Sequence, residues 1–178
     1  MGMHNEIERK FLIKEEPSLH TARPVSQERY FIPQEEGSIV EEGYKCTDNV
    51  FEHELKIAIA SDERTREVIV VTKEEFEECK KRGTNIIFRD SYRISEHPRI
   101  SIKKYHGTYE GLSLAEVEFD SHEAAEEFEP LPWMGAEVTD TPIGKDSRLV
   151  LLSWKEVKKV IEDVDDSFDF DESKLSFL

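Results

Sequence analysis

The stretch Asn5-Glu6-Ile7-Glu8-Arg9-Lys10-Phe11-Leu12-Ile13 decides how the fold is read. Taken as a strand, it places Glu6, Glu8 and Lys10 on one face and Ile7, Arg9, Phe11 and Ile13 on the other, because side chains alternate with period two. At roughly 3.3 Å rise per residue the two carboxylates stand about 6–7 Å apart, with the ammonium as far again along the strand. Two acids can hold a hard cation that chelates phosphate oxygens, and a lysine can neutralise a phosphate directly. The same triplet, met alone, equally describes the wet face of an ordinary strand. The remainder of the chain has to separate these readings.

A chain of 178 residues accommodates one well-buried domain. Its 37% apolar and 36% charged residues, with ten Phe, are polar but sufficient for a core. No apolar run approaches the ~18–20 residues of a membrane span and no signal-peptide pattern is present, so a cytoplasmic protein away from membranes is expected. Cys46 and Cys79 fit no zinc or redox spacing and are expected as reduced thiols. The net charge of −16 repels nucleic acid and anionic lipid. No nucleic-acid partner is therefore expected, and a phosphate ligand would need a sheltered cationic pocket or a metal.

Strand patterns dominate the first two thirds. After residues 5–13 come Ser26–Ile32, a hairpin of Ile39–Cys46 and Phe51–Ala58 turned at Thr47-Asp48-Asn49, and a short β-branched run Glu67–Val71. Thr72 with Glu75 forms a capping box for a helix over Lys73–Arg82 that Gly83 stops. Asn85–Ser95 and Arg99–His106 make a second pair, Ser113–Phe119 a further strand, and Asp120/Ser121 open a short helix ending at Phe128. Pro130–Gly135 is expected as a loop. One long helix is expected over Lys145–Ile161, with Leu149, Leu152, Trp154, Val157, Val160 and Ile161 on its apolar face. The chain divides into a domain over residues 1–162 and an acidic tail over 163–178. Phe168, Phe170 and Phe177 interrupt the acids of that tail, which is either solvated or docked at a mouth of the domain.

Other charged pairs repeat the spacing of the opening triplet: Glu54 with Lys56, Glu116 with Glu118, Arg89 with Ser91 and Arg93, and Ser101 with Lys103. Each alone is a wet strand face. Together they describe the interior of a closed antiparallel barrel that carries acids and bases, a polar tunnel able to hold a ligand. His53, His106 and His122 have no metal-ligand spacing, and Trp133 and Trp154 are expected to pack rather than stack on a ligand.

Three segments resemble the CYTH domains, or triphosphate tunnel metalloenzymes. Glu6–Ile13 is similar to that family's E-x-E-x-K strand, Gly111-Leu112-Ser113-Leu114-Ala115-Glu116-Val117-Glu118-Phe119 to its G-L-x-x-A-E-V-E strand, and Pro132-Trp133-Met134-Gly135-Ala136-Glu137-Val138-Thr139 to its P-W-x-G-x-E-V-T segment. The resemblance implies an α+β fold: a closed eight-stranded antiparallel β-barrel, the tunnel, with a few flanking helices. It implies metal-dependent hydrolysis of inorganic triphosphate or a related triphosphorylated small molecule, with Mg2+ or Mn2+. Glu6, Glu8, Glu116 and Glu118 would ligate metal, and Glu6, Glu8, Lys10 and Lys56 would serve catalysis. Lys10, Lys45, Lys56, Arg66, Arg89, Arg93 and Lys103 would bind the phosphates, and Tyr30 would line one mouth. A homodimer is expected by family analogy alone.

The sequence also departs from the family pattern. Gly43-Tyr44-Lys45 stands where R-x-R is usual, Arg89-Asp90-Ser91 where K-x-R is usual, and Lys103 at a usually acidic position. Losing a bidentate guanidinium removes a contact worth on the order of 1.5–3 kcal/mol. A non-catalytic polyphosphate- or nucleotide-binding module is therefore the alternative, with adenylate cyclase chemistry behind it.

Overall fold

In the structure, a computed structural model describing residues 2–82 and 86–165, β1 (Gly2–Ile13) closes the molecule. Twelve residues of strand span roughly 40 Å, enough to serve different neighbours at its two ends. Residues 2–7 pair with β5 (Glu63–Val71) and residues 7–12 with β8 (Ser113–Phe119), both antiparallel. The remaining order runs β5, β4 (Val50–Ala58), β3 (Val40–Thr47), β2 (Val25–Ile32), β6 (Ile87–Glu96), β7 (Arg99–His106), β8. With β1 joining β8 to β5, this is a closed eight-stranded antiparallel barrel, and a short β9 (Met134–Glu137) extends it beside the end of β1. Closure leaves no open sheet edge on the eight strands.

Local chemistry accounts for most boundaries. Asp48 and Asn49 adopt φ values of 48° and 64°, the left-handed pair that a two-residue hairpin between β3 and β4 requires. Thr72 and Glu75 make the expected capping box at the start of α1 (Lys73–Lys80), whose Phe76 packs on the rings of Tyr30 and Phe51 outside the barrel. Ser121 caps α2 (His122–Glu127). Arg9, on the outer face of β1, donates to the carbonyls of Ala125 and Phe128 at 2.7 and 3.0 Å and pairs with Glu137 at 2.7 Å. A cation at carbonyls freed by a helix end is favourable.

Three expectations need correction. The helix over 145–161 is two: α3 (Asp146–Leu149) and α4 (Trp154–Val164), because Ser153 and Glu156 form a capping box that starts a new helix. The apolar spacing runs across the break because both helices pack on one core. Met134 and Gly135 belong to β9 rather than to a loop. The run at 67–71 begins at Glu63, since charged residues that face the barrel interior continue the strand beyond its apolar part. Gly83, Asn85 and the tail from residue 166 lie outside the described residues.

The barrel interior changes character along its length. Inward positions Lys10, Arg29, Arg89, Lys103 and Glu116 give way, two residues along each strand, to Leu12, Phe31, Ile87, Tyr105 and Leu114. These apolar side chains join Val138, Ile143, Leu149, Val157 and Ile161 in a core that α3 and α4 cover. A second core, around Phe11, Ile100, Ile102, Ala115, Val117 and Met134, lies on the other face of β1, β7 and β8. The tunnel is thus floored at one end. At that floor Asp146 of α3 accepts from Arg29 and Arg89, each at 2.7 Å, and from the Tyr105 hydroxyl at 2.6 Å.

Asp146→Asn strips the counter-charge from two buried guanidiniums and is expected to cost about 3–5 kcal/mol of unfolding free energy in denaturant titrations. Ser153→Ala, which removes only a helix cap, is expected to cost about 1 kcal/mol.

Candidate active site

Above the floor the barrel encloses a cavity of about 790 Å³. Ten of the chain's 24 Lys and Arg line it, against seven of its 40 Asp and Glu. An acidic protein therefore concentrates its cations in one place, where low-dielectric walls focus the field on an anion.

Strand register explains the internal arrangement. Glu8 lies opposite Glu118, and Lys10 opposite Glu116, on β1 and β8. Carboxylate oxygens of Glu8, Glu116 and Glu118 consequently come within 4.8 Å of one another. Lys10 stands between Glu8, at 3.9 Å, and Glu116, at 3.7 Å. Glu6 is outside this cluster. It faces the β4–β5 side, where Arg64, Lys56 and Arg66 approach it at 3.1, 3.4 and 3.7 Å.

The expected phosphate ligands all line the cavity. Lys45 lies 3.5 Å from Glu54, and Arg66 grips the same carboxylate at 2.6 Å. Lys103 donates to Ser91 at 2.9 Å and lies 3.9 Å from Glu116. Arg89 is held by Asp146 and, at 2.7 Å, by Gln27. Arg93 is at the mouth, its side chain 43% exposed, donating to Ser101. Tyr30 does not line a mouth: period two puts Arg29 inside, so Tyr30 points out beneath α1 and bonds Glu28.

Sequence reasoning missed Arg29, Glu41, Arg64 and Asp146. Arg64 is the most consequential, since it pairs with Glu8 at 3.0 Å, with Glu6 at 3.1 Å and with Glu41 at 3.4 Å. The signal for it was present: Arg64 and Arg66 share the alternation of a strand that begins four residues earlier than its apolar run. Asp146 gave no signal, because it reaches the barrel from a separate helix. His53, His106 and His122 contact carboxylates outside the cavity wall, His53 that of Glu42, His106 those of Asp90 and Glu110, and His122 that of Glu63, whereas His97 lines the cavity. Trp133 and Trp154 pack against the second and first cores, as expected.

No family model matches the sequence, and no curated protein matches it. Solved structures do. Two crystal structures of NE1496, one described as a hypothetical protein and one as an inorganic triphosphatase, are 24% identical to this chain and cover 83% of it. They are matched over 99% and 95% of their own lengths, with TM-scores of 0.61 and 0.60. A putative adenylate cyclase (bh2851) from Bacillus halodurans is 15% identical, covers 71% of this chain and 86% of its own, and has a TM-score of 0.57.

The chain shares the fold of the NE1496 structures.

Within this tunnel, burial and charge pull the titrating groups in opposite directions. Burial and the neighbouring Glu116 push the Glu8 carboxyl above its usual range, against Lys10 and Arg64. Burial also raises Glu116, but Lys103, Lys10, Arg89 and Lys56 outweigh it and hold that carboxyl far below the usual range. Glu41 is lowered to about 2, its burial overcome by Arg64, Lys56 and Arg29. Burial lowers Lys103 to about 8 despite Glu116, and lowers Lys45 to about 8 despite Glu54.

For Glu8 the sign is that of a carboxyl raised on folding: ionisation is disfavoured in the native state, so its charge destabilises the fold above its native pKa and that penalty disappears as pH falls through it. Glu8→Gln is therefore expected to raise the thermal midpoint at pH 7.5 in chelator-treated protein. A lowered midpoint would mean that the pairing with Arg64 outweighs the burial of the charge.

Proposed function

We propose that this tunnel is a metal-dependent triphosphatase site that cleaves a phosphoanhydride bond of inorganic triphosphate or a related triphosphorylated small molecule. The observation that carries the reading is the division of one cavity wall: a three-carboxylate cluster on β1 and β8, flanked by cations from β4, β5, β6 and β7. A ligand matching both must present many oxygen charges together with a cation. A triphosphate with a divalent metal does so.

The donor set fits such a metal. Three carboxylate oxygens within 4.8 Å of one another are hard ligands of the type Mg2+ and Mn2+ prefer, and a dication there would favour the ionised form of Glu8, which burial first and Glu116 second disfavour. We assign the metal to Glu8, Glu116 and Glu118, and Glu6 to orienting Lys56, Arg64 and Arg66. Bound there, the cation would polarise phosphate oxygens and acidify a water. The chain's own part is electrostatic. Arg64 and Arg66 present rigid forks to equatorial phosphate oxygens, Lys56 and Lys10 add point charges, and Lys103 and Arg89 hold the deeper end. Such preorganised charge needs no rearrangement as negative charge shifts toward the leaving group.

The absence of guanidiniums at Gly43 and Ser91 supports the second reading, a binding module without turnover. Orthophosphate release decides between them. With inorganic triphosphate and Mg2+ or Mn2+, wild type should turn over and Glu116→Gln should fall at least ~100-fold, at or beyond the loss typical of metal-site partners. Lys56→Ala should lower kcat/KM about 10- to 150-fold, the equivalent of one charge-assisted contact. Metal-dependent triphosphate binding without release of phosphate from any triphosphate would leave only the binding module, and cyclic AMP formed from ATP would select the cyclase.

The lysine shifts give a pH signature. A lysine lowered to about 8 loses its charge as pH rises through that value, so triphosphate affinity should weaken between pH 7.5 and 9.5. Arginine stays charged throughout. Lys103→Arg should therefore flatten that limb in calorimetric titrations at several pH values, whereas an unchanged slope would remove Lys103 from the phosphate site.

A further inference from the structure

Arg64 borders three spaces: the tunnel, a chamber of about 520 Å³ between the β2–β3 connection and α3, and a small pocket between β1 and the β4–β5 turn. Its side chain is only 10% exposed, yet it has room to turn. Each of its three nitrogens already donates to a carboxylate: Nε to Glu6 at 3.1 Å, Nη2 to Glu8 at 3.0 Å and Nη1 to both oxygens of Glu41 at 3.4 Å. A phosphate contact by Arg64 therefore takes a donor away from one of these partners.

The three partners are not equivalent. Glu6 and Glu41 lie outside the carboxylate cluster, whereas Glu8 belongs to it with Glu116 and Glu118. Glu8 is thus claimed twice, by the guanidinium and by any cation that the cluster holds. The cluster's other cationic neighbours compete less. Lys10 and Lys103 stand 3.7–3.9 Å from Glu8 and Glu116, beyond hydrogen-bond reach. Arg99 meets Glu118 at 3.1 Å, but its side chain is half exposed and water screens the pair. Arg64 is the buried cation bonded directly to the cluster.

We propose that Arg64 and the metal exchange places on Glu8. A dication and a guanidinium sharing one carboxylate repel strongly in a low-dielectric wall. As Glu8 turns to the metal, Nη2 leaves it, and the fork, still held by Glu6 and Glu41, presents the freed N–H groups to a phosphate. Resting on the assignment of the metal to Glu8, Glu116 and Glu118, this exchange makes metal and triphosphate bind cooperatively through one side chain of the protein. By linkage, a triphosphate that draws Arg64 away strengthens the metal site by the factor with which the metal strengthens the phosphate site. The same ion pair holds metal affinity down until triphosphate arrives.

Mn2+ binding to chelator-treated protein without triphosphate, read from the paramagnetic resonance signal of the free ion, tests the exchange. Arg64→Gln should bind Mn2+ ~10- to 150-fold more tightly than wild type, the worth of the charge-assisted bond that no longer competes. Arg66→Gln removes the same charge from the same strand, but Arg66 touches Glu6 and Glu54 and no cluster member. Its affinity should rise less than about threefold, the effect of a more distant charge. Equal affinities in all three proteins, or equal gains in the two variants, would overturn the exchange. Binding lost in Glu118→Gln yet indifferent to Arg64 would overturn it while keeping the metal at the cluster, and binding indifferent to Glu118 would overturn both. Should Arg64→Gln not fold, a crystal structure of Mn2+-loaded wild type decides. Glu8 on the metal with Nη2 beyond hydrogen-bond reach upholds the exchange, and an Nη2–Glu8 bond kept beside the metal refutes it.

Discussion

Two guanidiniums almost without access to water, those of Arg29 and Arg89, share a single carboxylate, and the rest of the interior is arranged around that bond. Asp146 has no exposed side-chain surface, and accepts from both arginines and from Tyr105. Burial alone would raise its carboxyl, yet Arg89, Arg29 and Lys10 hold it far below the usual range. The same contacts set the depth of the cavity. Below Asp146 the inward positions are apolar and continuous with the core under α3 and α4. Above it they are charged. One acid delivered from a helix outside the barrel thus separates a packed apolar half from a charged half.

Above the floor, each buried charge depends on more than one partner. Glu54 meets Arg66, Arg29 and Lys45, while Arg64 meets Glu6, Glu8 and Glu41. In a low-dielectric space such networks are costly when incomplete and rigid when satisfied. The wall nevertheless keeps an excess of cations and one place where like charges gather, at Glu8, Glu116 and Glu118. The excess of cations favours an anion, and the three carboxylates, although Arg64, Lys10, Lys103 and Arg99 stand beside them, offer hard oxygen donors to a cation.

The strands and their inward faces were legible because alternation is a local property. Glu6, Glu8 and Lys10, with Glu116 and Glu118, are visible as period-two pairs, and the barrel follows from having many of them. What was not legible depends on register. Sequence spacing treats Glu6 and Glu8 as equivalent, but pairing opposes Glu8 to Glu118 on β8 and Glu6 to Arg64 on β5, so the two acids face different neighbours. Arg64 was hidden because its strand begins with polar residues, and Asp146 because its partners lie 117 and 57 residues away in sequence. The break between α3 and α4 was marked by Ser153 and Glu156, a cap whose signal lost to the apolar spacing running across it.

The two positions at which the CYTH pattern has arginine and this chain has Gly43 and Ser91 have structural accounts. Ser91 lies directly opposite Lys103 in the β6–β7 ladder, and the lysine reaches across to donate to it. A cation absent from β6 is thus present on β7 at the same level of the barrel, at a position the family pattern makes acidic. The pair of departures is one exchange of charge between neighbouring strands. Gly43 is a different case. A Cβ there would stand 2.6 Å from the Tyr30 carbonyl oxygen and 3.2 Å from the Phe31 ring, so β2 and β3 approach too closely for any side chain without a backbone shift. Restoring arginine at 43 would therefore disturb Phe31 in the floor rather than simply add a clamp. The charge that such an arginine would bring is already supplied around Glu54, opposite Gly43, by Arg29, Lys45 and Arg66. On the proposed reading the phosphate grip has moved from β3 to the β4–β5 side, where Lys56, Arg64 and Arg66 face Glu6.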